Sequence, residues 1–335
     1  MLLVIDRKDS IVRYQAGCLQ IERPDCPTES IPVRLLGHVV VYGNPLVETG
    51  VWRALAAADV PATLLALRGQ EQAATLGSGL AVQLPFRRMQ HRCANDSTQR
   101  LAMARYFVQQ KLLGYALPLR RLESSFAAPA AAVGRFTAQQ QQALTRLPAA
   151  ATLEHLMGLE GQVAQAWFTL LAESLPASWR FKGRNRQPPR DPVNALLSLG
   201  YTLMGSEIRQ AIIQSGLDPS LGFLHQDYPG RESLVLDILE IFRANVDDFV
   251  LDCLANLNFD SAAFYFREAE GCRLSKSARP VFFGAWAQRR SGSPRPFCPA
   301  DASEWPEGVL REIINGQVMQ LRETMKTITQ THEEV

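Results

Sequence analysis

The sequence predicts an α+β protein, an N-terminal β-sheet domain followed by a larger all-α domain that carries the candidate catalytic residues. Three observations predict it. From Met1 to about Leu84, short β-rich runs alternate with turn residues. Beyond Leu84 the apolar residues recur at helical spacing in long segments. The 335 residues also exceed the roughly 100–200 typical of one domain. The boundary is placed in Pro85–Ser97, dividing the chain into a β-rich domain over 1–90 and a helical domain over 91–335.

In chain order, the expected strands are Met1–Ile5, Ser10–Tyr14, Cys18–Ile21, Ile31–Leu36, His38–Tyr42 and Ala62–Leu67. Gly43-Asn44 and Gly69 mark turns. Between the last two strands, Val47, Val51, Leu55 and Ala58 fall on one face of a helix over Pro45–Asp59. Past the boundary, Ser97 is the expected cap of a helix over Thr98–Leu113. Further helices are expected at Ala138–Leu147, Thr152–Leu171, Asp191–Ser215, Ser233–Asn256 and Val309–Thr327. The Ala-rich stretch Ala127–Ala132 reads as a flexible connection or a frayed helix end. Pro219–Arg231 is a Gly/Pro-punctuated loop between two strong helices and contains His225. Arg279–Pro299 reads as a second irregular stretch, rich in arginine.

Composition excludes several classes. Formal net charge is +2, with 47% hydrophobic and 20% charged residues, so the chain is globular rather than fibrous or disordered, and no whole-molecule field announces a nucleic-acid partner. Leu2-Leu3-Val4-Ile5 is broken at once by Asp6-Arg7-Lys8-Asp9, which is no signal-peptide core. No apolar run reaches the ~18–20 residues of a bilayer span, so no membrane partner and a cytoplasmic location are expected. Six cysteines without a CxxC pair read as reduced, mostly buried thiols.

The chemistry-bearing residues stand out against apolar surroundings. Glu160 lies between Gly158 and Gly161 in an apolar helical run, where a carboxylate is costly unless paired or bound to a cation; a solvated surface glutamate is the other reading. Asp237 and Glu240, three apart, share a helix face. Leu234-Val235-Leu236 and Ile238-Leu239 around them describe a helix buried nearly all round. A solvated acidic stripe neutralised by Arg231 and Arg243 is the alternative there, and a satisfied loop histidine is the alternative for His225. Together, one imidazole and two or three carboxylates form a hard ligand set that suits Mg²⁺ or Mn²⁺ better than zinc. The run Arg180–Arg190, with Lys182, Arg184, Arg186 and Arg190, holds five positive charges and no acid. It reads either as a solvated linker or as a phosphate-gripping strip. Arg87-Arg88 with His91 and Arg92 is a second candidate strip.

Four segments then resemble a known family in order and spacing: Leu159-Glu160-Gly161; Arg186 through Tyr201; Gly216-Leu217-Asp218-Pro219 through Gly222-Phe223-Leu224-His225; and Ser233 through Glu240 with Phe242-Arg243 and Asp247. They are similar to the CRISPR-associated spacer-acquisition integrases, the universal first-numbered adaptation endonucleases. The N-terminal strands fit as well, whereas Ala127–Pro148 and the chain after Arg273 offer little to match. The resemblance implies a β-domain that forms homodimers, and a helical domain whose metal ligands map onto Glu160, His225 and Glu240, with Asp237 as an additional acid. Some members carry Asp where this chain has Glu240. The implied activity is a metal-dependent DNA endonuclease and integrase. With Mg²⁺ or Mn²⁺, the 3′-hydroxyl of a short DNA fragment attacks a phosphodiester at a CRISPR repeat. Implied partners are the prespacer and repeat DNA, a second copy of the chain and a small second adaptation protein. A reverse transcriptase or other acquisition partner is a further one. A catalytically silent DNA-binding scaffold and a stand-alone nuclease for branched DNA are the rival readings.

Overall fold

The computed structural model describes residues 1–24, 26–65, 73–76, 84–185, 188–257, 259, 261–268, 271–292 and 309–333. The N-terminal part holds two four-stranded sheets. One pairs β1 (Leu2–Ile5) in parallel with β5 (His38–Tyr42), then β7 (Ala62–Leu65) in parallel and β8 (Ala74–Leu76) antiparallel. The other has the order β4 (Cys26–Pro32), β3 (Cys18–Arg23), β2 (Ile11–Gln15), β6 (Leu46–Val47). Helix α1 (Thr49–Ala57) buries Val51 and Leu55. They join Leu3, Ile5, Val12, Leu19, Ile21, Val39 and Val41 in a small core of their own.

The expected strands recur with two shifts. The predicted strand Ile31–Leu36 is instead the end of β4 followed by a short 3₁₀ turn at Val33–Leu35. The residues of β4 before Ile31 are exposed, so no apolar alternation marked them. Leu46 and Val47 pair with Ile11 and Val12 rather than starting the helix. The predicted end of the last strand, at Leu67, and the turn at Gly69 lie outside the described residues.

The rest is largely helical: α2 (Leu84–Asn95), α3 (Ser97–Gly114), α4 (Ala116–Phe126), α5 (Ala130–Arg146), α6 (Leu153–Ser174), α7 (Pro192–Gln214) and α8 (Ser233–Asn256), then a hairpin, then α9 (Ala278–Arg290) and α10 (Leu310–Glu333). That hairpin, β9 (Phe264–Arg267) with β10 (Gly271–Leu274), is an addition to the all-α expectation. The stretch in which the boundary was placed is itself helical as α2, and Asp96 rather than Ser97 caps α3, accepting from the Gln99 N–H at 2.8 Å. Ala127–Pro129 is a sharp break between two helices, with φ of 48° at Ala127 and Pro129 capping α5, and Ala130–Ala132 form the first turn of α5 rather than a frayed end. The expected irregular stretch at Arg279 is α9. Its arginines are spent internally: Arg279 lies 4.1 Å over the Tyr42 ring, Arg289 pairs with Asp248 and Arg290 with Glu207 at 2.6 Å. Cys298, Arg295 and the rest of 293–300 lie outside the described residues. The other five cysteines are free, with Cys93, Cys253 and Cys272 buried, Cys18 half-buried and Cys26 exposed. No helix among the described residues is long and apolar enough to cross a membrane.

Helix α8 forms the axis of the helical core, packed by α3, α4, α7 and α9. Its polar side chains Asp237, Glu240, Asn245, Asp247 and Asp248 are buried along with its apolar ones. Each must therefore find a partner on a neighbouring element, and those partners define the site.

Candidate active site

Asp237 and Glu240 diverge in what they bind despite their spacing. Asp237, fully buried, accepts backbone N–H bonds from Phe223 (2.5 Å), Leu224 (3.0 Å) and His225 (2.9 Å). It also faces the His225 ring at Nδ1, 2.7 Å away. It closes the loop that the sequence marked at Pro219–Arg231. A carboxylate facing Nδ1 favours the tautomer protonated there and leaves the Nε2 lone pair for a ligand.

The same loop is fastened at its other side. Gln90 on α2 donates to the Asp218 carbonyl (2.9 Å) and the Leu221 carbonyl (2.7 Å), and accepts from the Asp218 N–H (2.8 Å). Arg100 donates to the Phe223 carbonyl at 2.9 Å. The Phe223 ring stacks on Phe107 of α3 with centroids 6.4 Å apart. At Gly222 a Cβ would lie 2.7 Å from the Ser233 Cβ and 2.9 Å from the Asp237 carboxylate, so only glycine lets the loop pass this close to α8.

Glu240 turns to α3 instead. Lys111, whose side chain is 4% exposed, places its ammonium 2.6 Å from Glu240 Oε2 and in direct contact with Glu160 Oε1. Arg243 takes the other Glu240 oxygen, Oε1, at 2.7 Å. Burial alone would raise the Glu240 pKa, but the Arg243 and Lys111 charges outweigh it and hold the carboxyl at about 2. The Arg243 guanidinium also lies 4.9 Å over the Tyr201 ring of α7, with Arg184 5.5 Å from the same ring. Beneath them the Tyr201 hydroxyl and Trp167 Nε1 (2.8 Å) donate to Asp247.

Glu160 is the exposed end of this cluster. Its side chain is 23% accessible, and a Cβ at Gly158 or Gly161 would meet nothing within 4 Å. Among the described residues no other backbone packs against either glycine.

The two acids from α6 and α8 thus meet around one ammonium, with His225 fixed by Asp237 on α8. Among the described residues no three His, Cys, Asp or Glu side chains already converge as a ready ligand cage. In donor chemistry the set fits a hard divalent ion: two carboxylates held by a cation, and an imidazole whose Nε2 has no hydrogen-bond partner among the described residues.

The basic strip divides. Lys182 and Arg190 are exposed. Arg184 is half-buried, donating to the Asn185 carbonyl (2.6 Å), Asn194 Oδ1 (2.8 Å) and Ser198 Oγ (3.2 Å). Arg186 lies outside the described residues. The strip's end is tied to the hairpin, since Cys272 N–H donates to the Pro189 carbonyl at 2.6 Å. On α2, Arg88, His91 and Arg92 are exposed.

Lys111, Gln90 and Arg100 escaped the sequence reading. Lys111 carried a signal: it follows Phe107 and Val108 at helical spacing on the buried stripe of α3, and a charge there demands partners. Arg243 stands in the fourth resembling segment and as a neutralising partner in the solvated-stripe reading. It does neutralise Glu240, inside the core. Arg231, its companion in that reading, lies over Tyr228 at 5.3 Å.

The fold defines a class, that of the Cas1-like proteins. The structure superposes on a CAS1 protein from Thermotoga maritima with a TM-score of 0.79 at 18% identity, covering 97% of each chain. It superposes on a casposase bound to an integration product with a TM-score of 0.82 at 19% identity, covering 97% of this chain and 90% of that one. A family model described as "CRISPR associated protein Cas1" matches residues 3–288. A CRISPR-associated endonuclease Cas1 of Chlorobaculum tepidum is 32% identical over 300 residues, 86% of this chain and 85% of that one. Another, from Rhodospirillum rubrum, is 34% identical over 282 residues, 81% of each. The chain belongs to the Cas1 family.

Proposed function

We propose that this chain is a divalent-metal-dependent DNA integrase of CRISPR adaptation. The observation that carries the reading is the pairing of Glu160 and Glu240, from two different helices, around one buried cation, with Asp237, one turn before Glu240 on α8, fixing the His225 ring. Glu160, Glu240 and His225 Nε2 would hold Mg²⁺ or Mn²⁺, which lowers the pKa of an attacking hydroxyl and neutralises charge gathering at phosphorus.

The reaction is a transesterification. The 3′-oxygen of a short DNA fragment forms a bond to a repeat phosphate, the bond from that phosphorus to the adjoining 3′-oxygen breaks, and the proton passes from the attacking to the departing oxygen. Lys182 and Arg190, with Arg186, would grip backbone phosphates. Such contacts carry no base information, so site choice falls to DNA shape, ends and partner proteins. Arg184, occupied internally, would shape the strip. Solved relatives support the partner reading: one is a Cas1–DNA complex and another a Cas6-RT-Cas1–Cas2 complex. We accordingly assign DNA, a second copy through the β-rich domain, the small second adaptation protein and, where one is present, a reverse transcriptase as partners in the cytoplasm.

The test uses a labelled 3′-OH duplex and a repeat-bearing plasmid with Mn²⁺. Glu160→Ala, His225→Ala and Glu240→Ala should each abolish strand transfer while DNA binding is retained. Full activity in any of them overturns the ligand assignment.

A further inference from the structure

We propose that Lys111 is a built-in competitor for the divalent ion: its ammonium clamps Glu160 and Glu240 together in the ion-free protein and has to withdraw before they can share a metal. The inference rests on the metal reading above and adds to it a residue that no acid-and-imidazole reading contains.

Four observations carry it. The ammonium touches both carboxylates, which come from helices far apart in sequence. One cation therefore already does what a bridging ion would do. The two Glu240 oxygens are divided, Oε1 to Arg243 and Oε2 to Lys111, so Lys111 stands on the oxygen that Arg243 leaves.

The two cations also differ in freedom. Arg243 is held by stacking on Tyr201, whereas a lysine is a point charge on a flexible four-carbon stem. Finally, Lys111 sits among Phe107, Val108 and Leu112, all fully buried. An ammonium there is tolerated only while it is paired, and Glu160, its side chain 23% exposed, is the end of the cluster that a hydrated ion reaches. Lys111 thereby sets both the stability of the ion-free protein and the ion concentration at which the site fills.

The experiment titrates Mn²⁺ into the full chain, stripped of metal, and follows free Mn²⁺ by its paramagnetic resonance signal, with thermal unfolding measured in parallel. Lys111→Met should bind Mn²⁺ at least tenfold more tightly than wild type. Its unfolding temperature should be lower without ion and rise further with it. Lys111→Arg, which keeps the charge in a head with more donors, should bind Mn²⁺ more weakly than wild type.

Equal or weaker Mn²⁺ binding by a folded Lys111→Met overturns the proposal. Should that variant not fold without ion, Lys111→Arg decides, and binding as tight as wild type or tighter overturns it. Glu160→Gln and Glu240→Gln separate the two readings. If they abolish Mn²⁺ binding while the Lys111 variants leave it unchanged, only the role of Lys111 fails. If neither wild type nor Lys111→Met binds Mn²⁺ at millimolar concentration, the metal reading itself fails.

Discussion

Asp237 holds His225 twice, accepting its backbone N–H at 2.9 Å and facing its ring Nδ1 at 2.7 Å. The carboxylate that the resemblance offered as an additional acid is thus a fastening for the imidazole and its loop. Asp237→Ala would strip acceptors from three backbone N–H groups at once, each costing about 1–3 kcal/mol when buried and unpaired. The expected loss is several kcal/mol in urea denaturation, and strand transfer should disappear with it. Asp237→Asn keeps one acceptor oxygen and the packing, so it should cost less stability. It still replaces a charged tether of the ring by a neutral one, and the strand-transfer rate should fall by at least tenfold with DNA affinity unchanged. Wild-type activity in a stable Asp237→Asn protein would show that His225 needs no anchor.

Gly222 tests the same loop from the backbone side. A methyl group placed 2.7 Å from the Ser233 Cβ forces either the loop or the first turn of α8 to move, and overpacking of this kind costs about 1–3 kcal/mol. Gly222→Ala should therefore lower the unfolding midpoint and slow strand transfer together, because the displaced loop carries His225. Gly158→Ala is the contrast: its Cβ meets nothing within 4 Å, and its stability should match or slightly exceed wild type.

How far the sequence revealed this depends on the range of the interaction. Helix α8 was legible end to end from its helical spacing, and the apolar residues flanking Asp237 and Glu240 pointed to buried acids without closing the solvated alternative. Strands β1, β3 and β5 were legible from their apolar residues, whereas β4, mostly exposed, carried no such pattern. Helix α9 was hidden by its arginines, which look solvated until Asp248, Glu207 and Tyr42 are brought to them from other elements. The cation between Glu160 and Glu240 was hidden for the same reason: Lys111 stands 49 residues before Glu160, and no local spacing connects them. Residue order within the four motifs located the acids and the imidazole; only the packing shows what neutralises and orients them.

Two buried carboxylates should give stability opposite dependences on pH. Burial would raise the Glu207 pKa, but His38 and Arg290 outweigh it and hold it at about 2, against an unperturbed 4.5. The stabilisation is present above about pH 4.5 and is lost as pH falls through 2, amounting to roughly 3 kcal/mol. Asp247 is the reverse. Burial raises it to about 6 from 3.8 despite the bonds from Tyr201 and Trp167. The native state keeps a proton that the unfolded chain releases, so its contribution declines as pH rises from about 4 to 6. Urea midpoints measured from pH 3 to 7 should show Glu207→Gln flattening the acid limb below 4.5 and Asp247→Asn flattening the decline between 4 and 6. Unchanged profiles in both variants would contradict the assigned shifts.

Lys182 and Arg184, two residues apart, should fail in different ways. Lys182 is exposed, so Lys182→Ala should leave the unfolding midpoint within about 0.5 kcal/mol of wild type. If it contacts a phosphate, DNA affinity should weaken uniformly across sequences and the slope of log affinity against log salt should shrink by about 1. Arg184 binds Asn194 and Ser198 on α7 and lies over Tyr201, which itself supports Arg243 and so Glu240. Arg184→Ala should destabilise the fold by about 1–3 kcal/mol through the partners left behind, and reduce strand transfer more than DNA binding. A salt slope altered by Arg184→Ala and untouched by Lys182→Ala would reverse the assignment, placing the phosphate contact on the arginine and leaving the lysine as solvated surface.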